Sequence, residues 1–285
     1  MSMQFSPGPL PDLLVEPVVR AALIEDLGRA GDVTAAACLP AGEQITATFA
    51  ARAEGRLAGL DCARLAIAAM DPTARFVTNR GDGDDIAVGE VIARVSGDAR
   101  AILSSERVAL NLLSRLCGVA TLTRTYVRAV EGTKARIVCT RKTTPGLRAL
   151  EKYAVRCGGA TNHRFGLDDA ILIKDNHIAA CGGVAKALER ARTACGHLMK
   201  IEIEVDRLDQ LDEALPFRPD VIMLDNFALD DLRAAVERVA GAVVLEASGG
   251  VNLSTVRAIA ETGVDAISVG ALTHSAPILD IGLDI

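Results

Sequence analysis

Basic side chains are concentrated between Arg141 and Lys174. The set comprises Arg141, Lys142, Arg148, Lys152, Arg156, Arg164 and Lys174, with His163 among them. The segment carries seven Lys and Arg against three Asp and Glu, so its charge is 7 - 3 = +4, whereas the whole chain has a formal charge of -6. Arginine pairs with planar carboxylates through two N–H donors, and lysine serves phosphate as a point charge. The segment therefore indicates a local anion site, with a solvated helix face as the ordinary alternative.

Residues that could bind a ligand or take part in catalysis also follow each of six short apolar runs in the second half of the chain. They are Arg141 and Lys142, Lys174 and Asp175, Glu204 and Asp206, Asp225 and Asn226, Glu246 and Ser248, and Gly270. Ligands bind at the carboxyl ends of the strands in parallel α/β folds. If the runs are strands of one parallel sheet, these residues share one rim, and we predict an active site there.

Two glycine-containing turns after the last two runs predict a phosphate site. Ser248, Gly249 and Gly250 precede a helix start predicted near Asn252, where free backbone N–H groups and the helix dipole favour an anion. Gly270 offers the second turn, and barrels commonly hold a phosphate after their final two strands. The alternative is that these glycines only permit tight turns.

Glu204 and Asp225 follow neighbouring runs and are candidate ligands for Mg²⁺. A hard cation is bound by one or two carboxylates together with water and phosphate oxygens. The alternative is a salt bridge to Lys142 or Lys174, which we favour unless the substrate carries phosphate. A substrate with several anionic groups, one of them a diphosphate that brings its own metal, fits the whole set of residues.

The elements that must position these residues are strands and helices in alternation. The apolar runs are RIVCT, AILIK, KIEIEV, VIMLD, VVLEA and AISVG, with helical stretches between them. Unalternated apolar strands separated by helices predict a parallel sheet covered by helices, and six consecutive units suggest a barrel. An open doubly wound sheet is the second choice, because the GxGxxG fingerprint follows none of the runs.

The first part of the chain predicts a mixed α/β unit. A helical stretch stops at Gly28, and GDVTAAACLP is predicted to be irregular. Strand and hairpin patterns follow on both sides of a short helix. A long helical stretch then places Val108, Leu112, Leu116 and Val119 on one face.

Composition excludes several classes of protein. No basic region with an apolar signal core opens the chain, and no apolar run approaches the roughly 18 residues of a membrane span, so we expect a cytoplasmic protein. Seven cysteines without a CxxC pair predict small buried hydrophobes in a reducing compartment. Four scattered histidines without HExxH argue against zinc. Two tyrosines, no tryptophan and an acidic balance give no sign of nucleic-acid binding.

Several segments, in this order, closely resemble the quinolinate phosphoribosyltransferase family. They are TRKTTPGLRALEKYAVRCGGATNHRFGLDDAILIKDNHI, IEIEVD, VIMLDNF, EASGGV and ETGVDAISVGALTHSAPILDIGLD. The resemblance implies an incomplete α/β barrel of the type II phosphoribosyltransferases at 116–275. It also implies an N-terminal open-faced α/β sandwich at 1–115, joined by the tail 276–285.

The resemblance implies that quinolinate and phosphoribosyl pyrophosphate react, with magnesium, to nicotinate mononucleotide, pyrophosphate and carbon dioxide, the de novo entry to NAD. It implies a homodimer with shared active sites, and higher oligomers are left open. Arg107 would reach into the partner's site, while Arg141, His163, Arg164 and Lys174 would bind the two carboxylates of quinolinate.

The remaining residues divide between the sugar and the phosphates. By the same resemblance, Lys142, with Thr140, would lie toward phosphoribosyl pyrophosphate, and Glu204 and Asp225 would support the ribose or the metal. The 5′-phosphate would be bound by Ser248, Gly249, Gly250 and Gly270. The resemblance thus assigns catalysis to Lys142, Lys174, Glu204 and Asp225.

Other activities remain open at this point. One is a phosphoribosyltransferase for nicotinate itself, or a molybdate-transport paralogue that shares the framework. Another is a phosphate-binding lyase or aldolase in which Lys174 forms a Schiff base. The last is a binding protein without turnover. His177 and His274 lie near the predicted rim, and each is assigned equally to function and to structure.

Overall fold

Residues 8–285 are described by a computed structural model, and residues 1–7, part of the stretch predicted to lack a signal segment, lie outside it. The helices are α1 (Asp12–Leu27), α2 (Val33–Cys38), α3 (Leu60–Met70), α4 (Ala99–Ala129), α5 (Arg148–Cys157), α6 (Asp175–Cys181), α7 (Val184–Ala194), α8 (Leu208–Ala214), α9 (Leu229–Val239), α10 (Val256–Ala260) and α11 (Ala271–His274). A 3₁₀ helix spans Leu215–Phe217. No helix among the described residues is long and apolar enough to cross a bilayer.

The strands form two main sheets and one short pair. In chain order they are β1 (Gln44–Ala51), β2 (Gly55–Arg56), β3 (Arg75–Thr78), β4 (Asp85–Ile86), β5 (Val91–Asp98), β6 (Arg136–Val138), β7 (Ile171–Ile173), β8 (Ile201–Val205), β9 (Val221–Asp225), β10 (Val244–Ser248), β11 (Ala266–Ser268) and β12 (Ile281–Asp284). Packing divides the chain into two compact units. The first comprises the chain up to Arg124, Thr143–Gly159 and Leu272–Ile285, and the second comprises Thr125–Lys142 and Ala160–Ala271.

The first unit is built on an antiparallel sheet in the order β12-β1-β5-β3. Its central strand β1 pairs with β5 on one side and with the C-terminal strand β12 on the other, where Phe49 faces Leu283. The predicted helical face of α4 is confirmed, because its apolar positions are buried, with Val119 fully so. The last strand of the chain therefore completes the sheet that the first strand begins.

The helix predictions for the N-terminal segment are half right. Helix α1 ends at Leu27, and Gly28, at φ 56°, donates its N–H to the Ile24 carbonyl at 3.2 Å, as a helix-stopping glycine does. The irregular structure predicted for GDVTAAACLP is wrong, since α2 lies within it. Asp32 begins this helix by accepting the N–H of Ala35 at 2.8 Å, an N-cap that outweighs the flanking glycine and proline.

The second unit confirms the incomplete barrel. All six predicted runs form strands of one parallel sheet, in the order β6-β11-β10-β9-β8-β7. Strands β6 and β7 lie at the two edges and do not pair with each other, so the sheet is not closed by hydrogen bonds. Because every pair is parallel, the carboxyl ends of all six strands lie on the same edge. The sheet therefore brings the strand-end residues to one rim.

Candidate active site

A cleft of about 590 Å³ lies at this rim, a size typical of small-molecule sites. Its lining comprises Thr140, Arg141, Lys142, His163, Arg164, Leu172, Lys174, Glu204, Met223, Asp225, Asn226, Glu246, Ser248, Gly249, Gly250 and Ser268. All of these residues belong to the second unit. The rim predicted from sequence is therefore a concave site with cationic, acidic and glycine-containing parts.

Nearly all predicted site residues lie in this lining, and two do not. Arg107 lies on α4, where its side chain is 65% exposed and 3.7 Å from the carboxylate of Glu106. Gly270 follows β11 and directly precedes α11. Met223, Ser268 and Leu172 line the cleft although the sequence did not single them out. Their apolar or weakly polar side chains gave no chemical signal.

Two arginines present unused donors in the cleft. The Nε atoms of Arg141 and Arg164 are buried, and neither donates a hydrogen bond to any described residue. Burial first, and the nearby Arg141 guanidinium second, lower the pKa of Arg164. Buried donors normally have acceptors, and two close cations repel each other. This corner of the cleft is therefore built to receive an anionic group.

The prediction that seven basic residues face one pocket is wrong. Arg148, Lys152 and Arg156 lie on α5, which belongs to the first unit, and Lys152 is only 1% exposed. Sequence proximity concealed this division, because the chain leaves the second unit after Lys142 and returns at Ala160. The cleft itself has four arginine and lysine side chains, Arg141, Lys142, Arg164 and Lys174.

The lining also contains acidic residues. Glu204 Oε2 lies 2.5 Å from Lys174 Nζ, the salt bridge that the sequence left open. Asp225 Oδ2 accepts a hydrogen bond of 2.7 Å from Asn226 Nδ2. Glu204 and Asp225 also line a neighbouring cavity of about 240 Å³ together with Asp175. The two predicted metal ligands therefore stand between two water-accessible spaces, one of them acidic.

The glycine turn after β10 is tightly packed against Asn226. Gly249 has φ +90°, and a Cβ built on it would lie 2.1 Å from Asn226 Oδ1 and 2.9 Å from the Asn226 nitrogen. Asn226 itself has φ 58° and donates its N–H to the Ser248 carbonyl at 2.9 Å. The helix predicted near Asn252 begins later, at Val256, after a hydrogen-bonded turn. The turn is therefore fixed by close backbone contact.

The two uncertain histidines have local partners. His177 Nδ1 accepts the N–H of Lys174 at 2.9 Å and so caps the start of α6, the structural alternative left by the sequence. His274, in the first unit, has its Nδ1 2.6 Å from the Ser275 hydroxyl. In both cases the contact is within the same segment of the chain.

A buried cluster forms the floor of the cleft. His163 Nε2 lies 2.9 Å from Glu202 Oε2 and 3.7 Å from Glu246 Oε1. His163 Nδ1 accepts the backbone N–H of Arg164 at 2.8 Å. An accepting Nδ1 is unprotonated, so Nε2 carries the ring hydrogen and donates it to Glu202. The cluster has the composition of a metal site, but a protonated Nε2 offers no lone pair to a metal.

Glu246 is the perturbed acid of this cluster. It is 5% exposed, and its Oε1 has no hydrogen-bond partner among the described residues. Burial, reinforced by the neighbouring Glu202 carboxylate, raises its pKa from the ordinary 4.5 to about 7, and His163 opposes the shift. Glu246 therefore retains a proton where most carboxyl groups are ionised.

We expect Glu246→Gln to raise the free energy of unfolding at about pH 8 and to change it little near pH 5. In the unfolded chain Glu246 ionises near 4.5, whereas in the folded protein it stays protonated up to about 7. The wild-type fold therefore loses stability as pH rises through that window, and the glutamine variant does not share this loss. Urea unfolding of both proteins across this pH range measures the difference. Curves that remain parallel at all pH values would contradict the raised pKa.

Glu202 was not among the residues predicted for the site, and Glu246 was placed on the rim without a role of its own. Both lie inside apolar runs, where charged residues are seldom expected. A signal was nonetheless present, because alternate residues of a strand share a face. Glu202 therefore shares a face with Glu204 on β8, and Glu246 shares one with Ser248 on β10.

Comparisons with known proteins agree over nearly the whole chain. Residues 32–117 and 119–284 match the family models for the N-terminal and C-terminal domains of quinolinate phosphoribosyl transferase. A Bacillus subtilis relative, named a probable carboxylating nicotinate-nucleotide pyrophosphorylase, is 47% identical over 263 residues, covering 92% of this chain and 90% of its own. The Mycobacterium leprae carboxylating nicotinate-nucleotide pyrophosphorylase is 47% identical over 272 residues, covering 94% and 95%.

A solved structure shows the same architecture. The nicotinate-nucleotide pyrophosphorylase from Francisella tularensis superposes with a TM-score of 0.93 at 40% identity and covers 97% of both chains. The comparisons and the cleft therefore point to one kind of protein.

Proposed function

Because the chain belongs to the quinolinate phosphoribosyltransferase family, we propose that the cleft is where its reaction occurs. The enzyme transfers the phosphoribosyl group of phosphoribosyl pyrophosphate to quinolinate with decarboxylation, giving nicotinate mononucleotide, pyrophosphate and carbon dioxide for NAD biosynthesis. The observation that carries the placement is the pair of buried guanidinium donors of Arg141 and Arg164. Carboxylates of quinolinate supply the acceptors that these donors lack.

The dicarboxylate is bound by the cationic part of the cleft. Arg141 and Arg164 take its carboxylates, and Lys174 adds a third charge beside Glu204. His163 was predicted to bind a carboxylate directly. Because its two ring nitrogens are engaged by Arg164 and Glu202, we assign it instead to holding the Arg164 backbone in place.

The phosphorylated sugar occupies the rest of the rim. Lys142, whose N–H donates to Thr140 Oγ1 at 3.0 Å, lies toward the pyrophosphate. The 5′-phosphate is bound by the backbone around Ser248, Gly249 and Gly250, together with Gly270 on the adjacent turn. Gly249 has no side chain of its own, and close packing against Asn226 leaves no room for one, so this position keeps the bare backbone that phosphate approach requires.

Magnesium fits this site as a cation carried by the substrate. Glu204 and Asp225 offer two carboxylates facing both cavities, which matches the one or two that Mg²⁺ takes alongside phosphate oxygens. When bound, the ion neutralises charge on the pyrophosphate leaving group. Lys174 competes for Glu204 in its absence, and quinolinate frees Glu204 by engaging Lys174.

The chemistry needs positioning and electrostatics more than covalent catalysis. Loss of pyrophosphate from C1 of the ribose builds positive charge on the sugar and negative charge on the leaving group. Glu204 and Asp225 face the former, and Lys142 faces the latter. Once the pyridine nitrogen is ribosylated, the ring is a cation and stabilises the electron pair that the breaking bond to the C2 carboxylate leaves on C2. A Schiff-base lysine is not required for this step.

We extend the proposal to assembly and compartment. The partner subunit's Arg107 completes each active site in a homodimer, which suits a strongly exposed cation on α4. No disulfide joins any of the seven cysteines, although Cys38, Cys181 and Cys195 are not buried as predicted. Unjoined cysteines suit the reducing cytoplasm, where we place the enzyme.

The test is release of labelled carbon dioxide from carboxyl-labelled quinolinate. We expect release that requires both phosphoribosyl pyrophosphate and magnesium, with stoichiometric pyrophosphate. Nicotinate as substrate and omission of metal are the controls. Tight quinolinate binding without release would indicate a binding protein or the transport paralogue, and borohydride inactivation with substrate would indicate a Schiff base on Lys174.

A further inference from the structure

Decarboxylation requires that a proton be delivered to C2 of the pyridine ring in this active site. This inference rests on the proposed function. When the bond between C2 and its carboxylate breaks, carbon dioxide leaves and the electron pair stays on C2 beside the ring cation. Nicotinate mononucleotide carries hydrogen at C2. One proton must therefore reach C2 for each carbon dioxide released, and general acids in active sites deliver such protons.

The cleft lining contains one buried acid suited to this task. Glu246 lies on β10, is 5% exposed and lines the cleft. Its Oε1 has no hydrogen-bond partner among residues 8–285. A buried carboxylate of this kind would be costly, whereas a carboxylic acid carries no charge. The fold therefore tolerates Glu246 best in its protonated form.

Hydrogen bonding indicates which of the two floor glutamates is ionised. His163 gives its Nε2 hydrogen to Glu202 at 2.9 Å, while Glu246 stands 3.7 Å away. The carboxylate that receives the donor is stabilised as an anion, and its charge opposes ionisation of the other. Glu202 thus carries the negative charge and Glu246 carries the proton.

We propose that Glu246 is the general acid that protonates C2 after carbon dioxide leaves. The O–H bond of Glu246 breaks, its hydrogen forms the C2–H bond with the electron pair left by decarboxylation, and Glu246 becomes a carboxylate. The new carboxylate stands beside Glu202, so it takes a proton from water as the product departs. No oxidant, reductant or further reactant is needed.

The groups that face Glu246 act on its pKa in both directions. Burial and the Glu202 charge from β8 raise the pKa, whereas His163 and the hydrogen bond of Ser268 from β11 lower it, and the net shift is upward. Arg141 and Arg164 line the same cleft and bind the incoming dianion. Bound quinolinate adds negative charge, which keeps the proton on Glu246.

Glu246→Gln tests the proposal, since glutamine keeps the shape but has no acidic proton. We expect quinolinate affinity to stay within about threefold and carbon dioxide release to fall about 100-fold, the scale of general acid catalysis. Without the acid, the electron pair on C2 adds back to carbon dioxide before it escapes, so pyrophosphate release falls less than carbon dioxide release and the carboxylated mononucleotide accumulates. Glu246→Asp, which retains an acid, recovers part of the rate. A glutamine variant that releases carbon dioxide within about threefold of wild type overturns the proposal.

A wild-type measurement decides the matter if the glutamine variant does not fold. We expect kcat to fall between about pH 7 and 9, because the acid must be protonated in the bound state and bound quinolinate raises its pKa above the ligand-free value of about 7. A kcat that stays flat from about pH 6 to 9 overturns the proposal. Wild-type protein without any carbon dioxide release contradicts the proposed function as well, whereas active wild type with an active glutamine variant contradicts only the role of Glu246.

Discussion

Arg141→Ala is expected to lower kcat/KM for quinolinate by about 1000-fold, equivalent to about 4 kcal/mol. The substitution removes a guanidinium whose buried Nε has no acceptor among the described residues and whose charge lies close to that of Arg164. A bound carboxylate then loses paired N–H donors in a desolvated site, where charged hydrogen bonds are strongest. Steady-state kinetics with each substrate varied in turn measure the effect. The loss should appear with quinolinate as the varied substrate.

Arg141→Lys is the matched variant for this prediction. Lysine keeps the positive charge and lacks the planar fork, so we expect a loss of about 30-fold, between wild type and alanine. An alanine variant with a raised KM for phosphoribosyl pyrophosphate and an unchanged KM for quinolinate would show that Arg141 serves the other substrate. Thermal unfolding of both variants separates binding effects from lost folding.

Gly249→Ala is expected to cost about 3 kcal/mol of unfolding free energy and to lower kcat/KM for phosphoribosyl pyrophosphate about 100-fold. The new Cβ would meet Asn226 Oδ1 at 2.1 Å and the Asn226 backbone nitrogen at 2.9 Å, at φ +90°. Side-chain rotation relieves the first contact but cannot relieve the second. The turn must move, and the phosphate-binding backbone moves with it. Urea unfolding and initial rates measure the two effects.

Gly250→Ala provides the control within the same turn. Gly250 has φ +59°, and a Cβ there would have no heavy atom within 4 Å. Only the left-handed backbone then opposes alanine, at a cost of about 1 kcal/mol. Equal losses in the two variants would mean that the glycines serve only backbone conformation. A loss of stability and activity that is confined to Gly249→Ala would show that glycine is required at this position because the turn packs closely against Asn226.

The strands and their rim were predictable because one physical rule produces both. A parallel strand is covered on both faces, so it appears as an unbroken apolar run, and polar residues follow where the strand reaches solvent. This placed Lys174, Asp225 and Ser248 correctly before any geometry was known. Family resemblance then supplied the substrates, which apolar periodicity does not encode.

The floor of the cleft was not predictable by that rule. Glu202 and Glu246 are acids inside strands, and their meaning depends on which side chains the barrel brings opposite them. His163 comes from a loop distant in sequence from both. The division of the basic segment likewise depends on tertiary packing, since α5 looks continuous with Arg141 in the sequence but packs in another unit. A short helix such as α2 depends on a single N-cap, and its sequence signal is weaker than that of the glycine and proline residues beside it.

The pairing of β12 with β1 also constrains the order of events during biosynthesis. Strand β1 emerges from the ribosome early, but its neighbour β12 spans Ile281–Asp284 and emerges much later. Until then one edge of the antiparallel sheet has unpaired backbone groups that other nascent chains can match. The residues of the barrel sheet are translated before that point. The antiparallel sheet, whose other strands are synthesised before the barrel, is therefore the last sheet that can be completed, and a truncation that removes β12 acts on N-terminal folding.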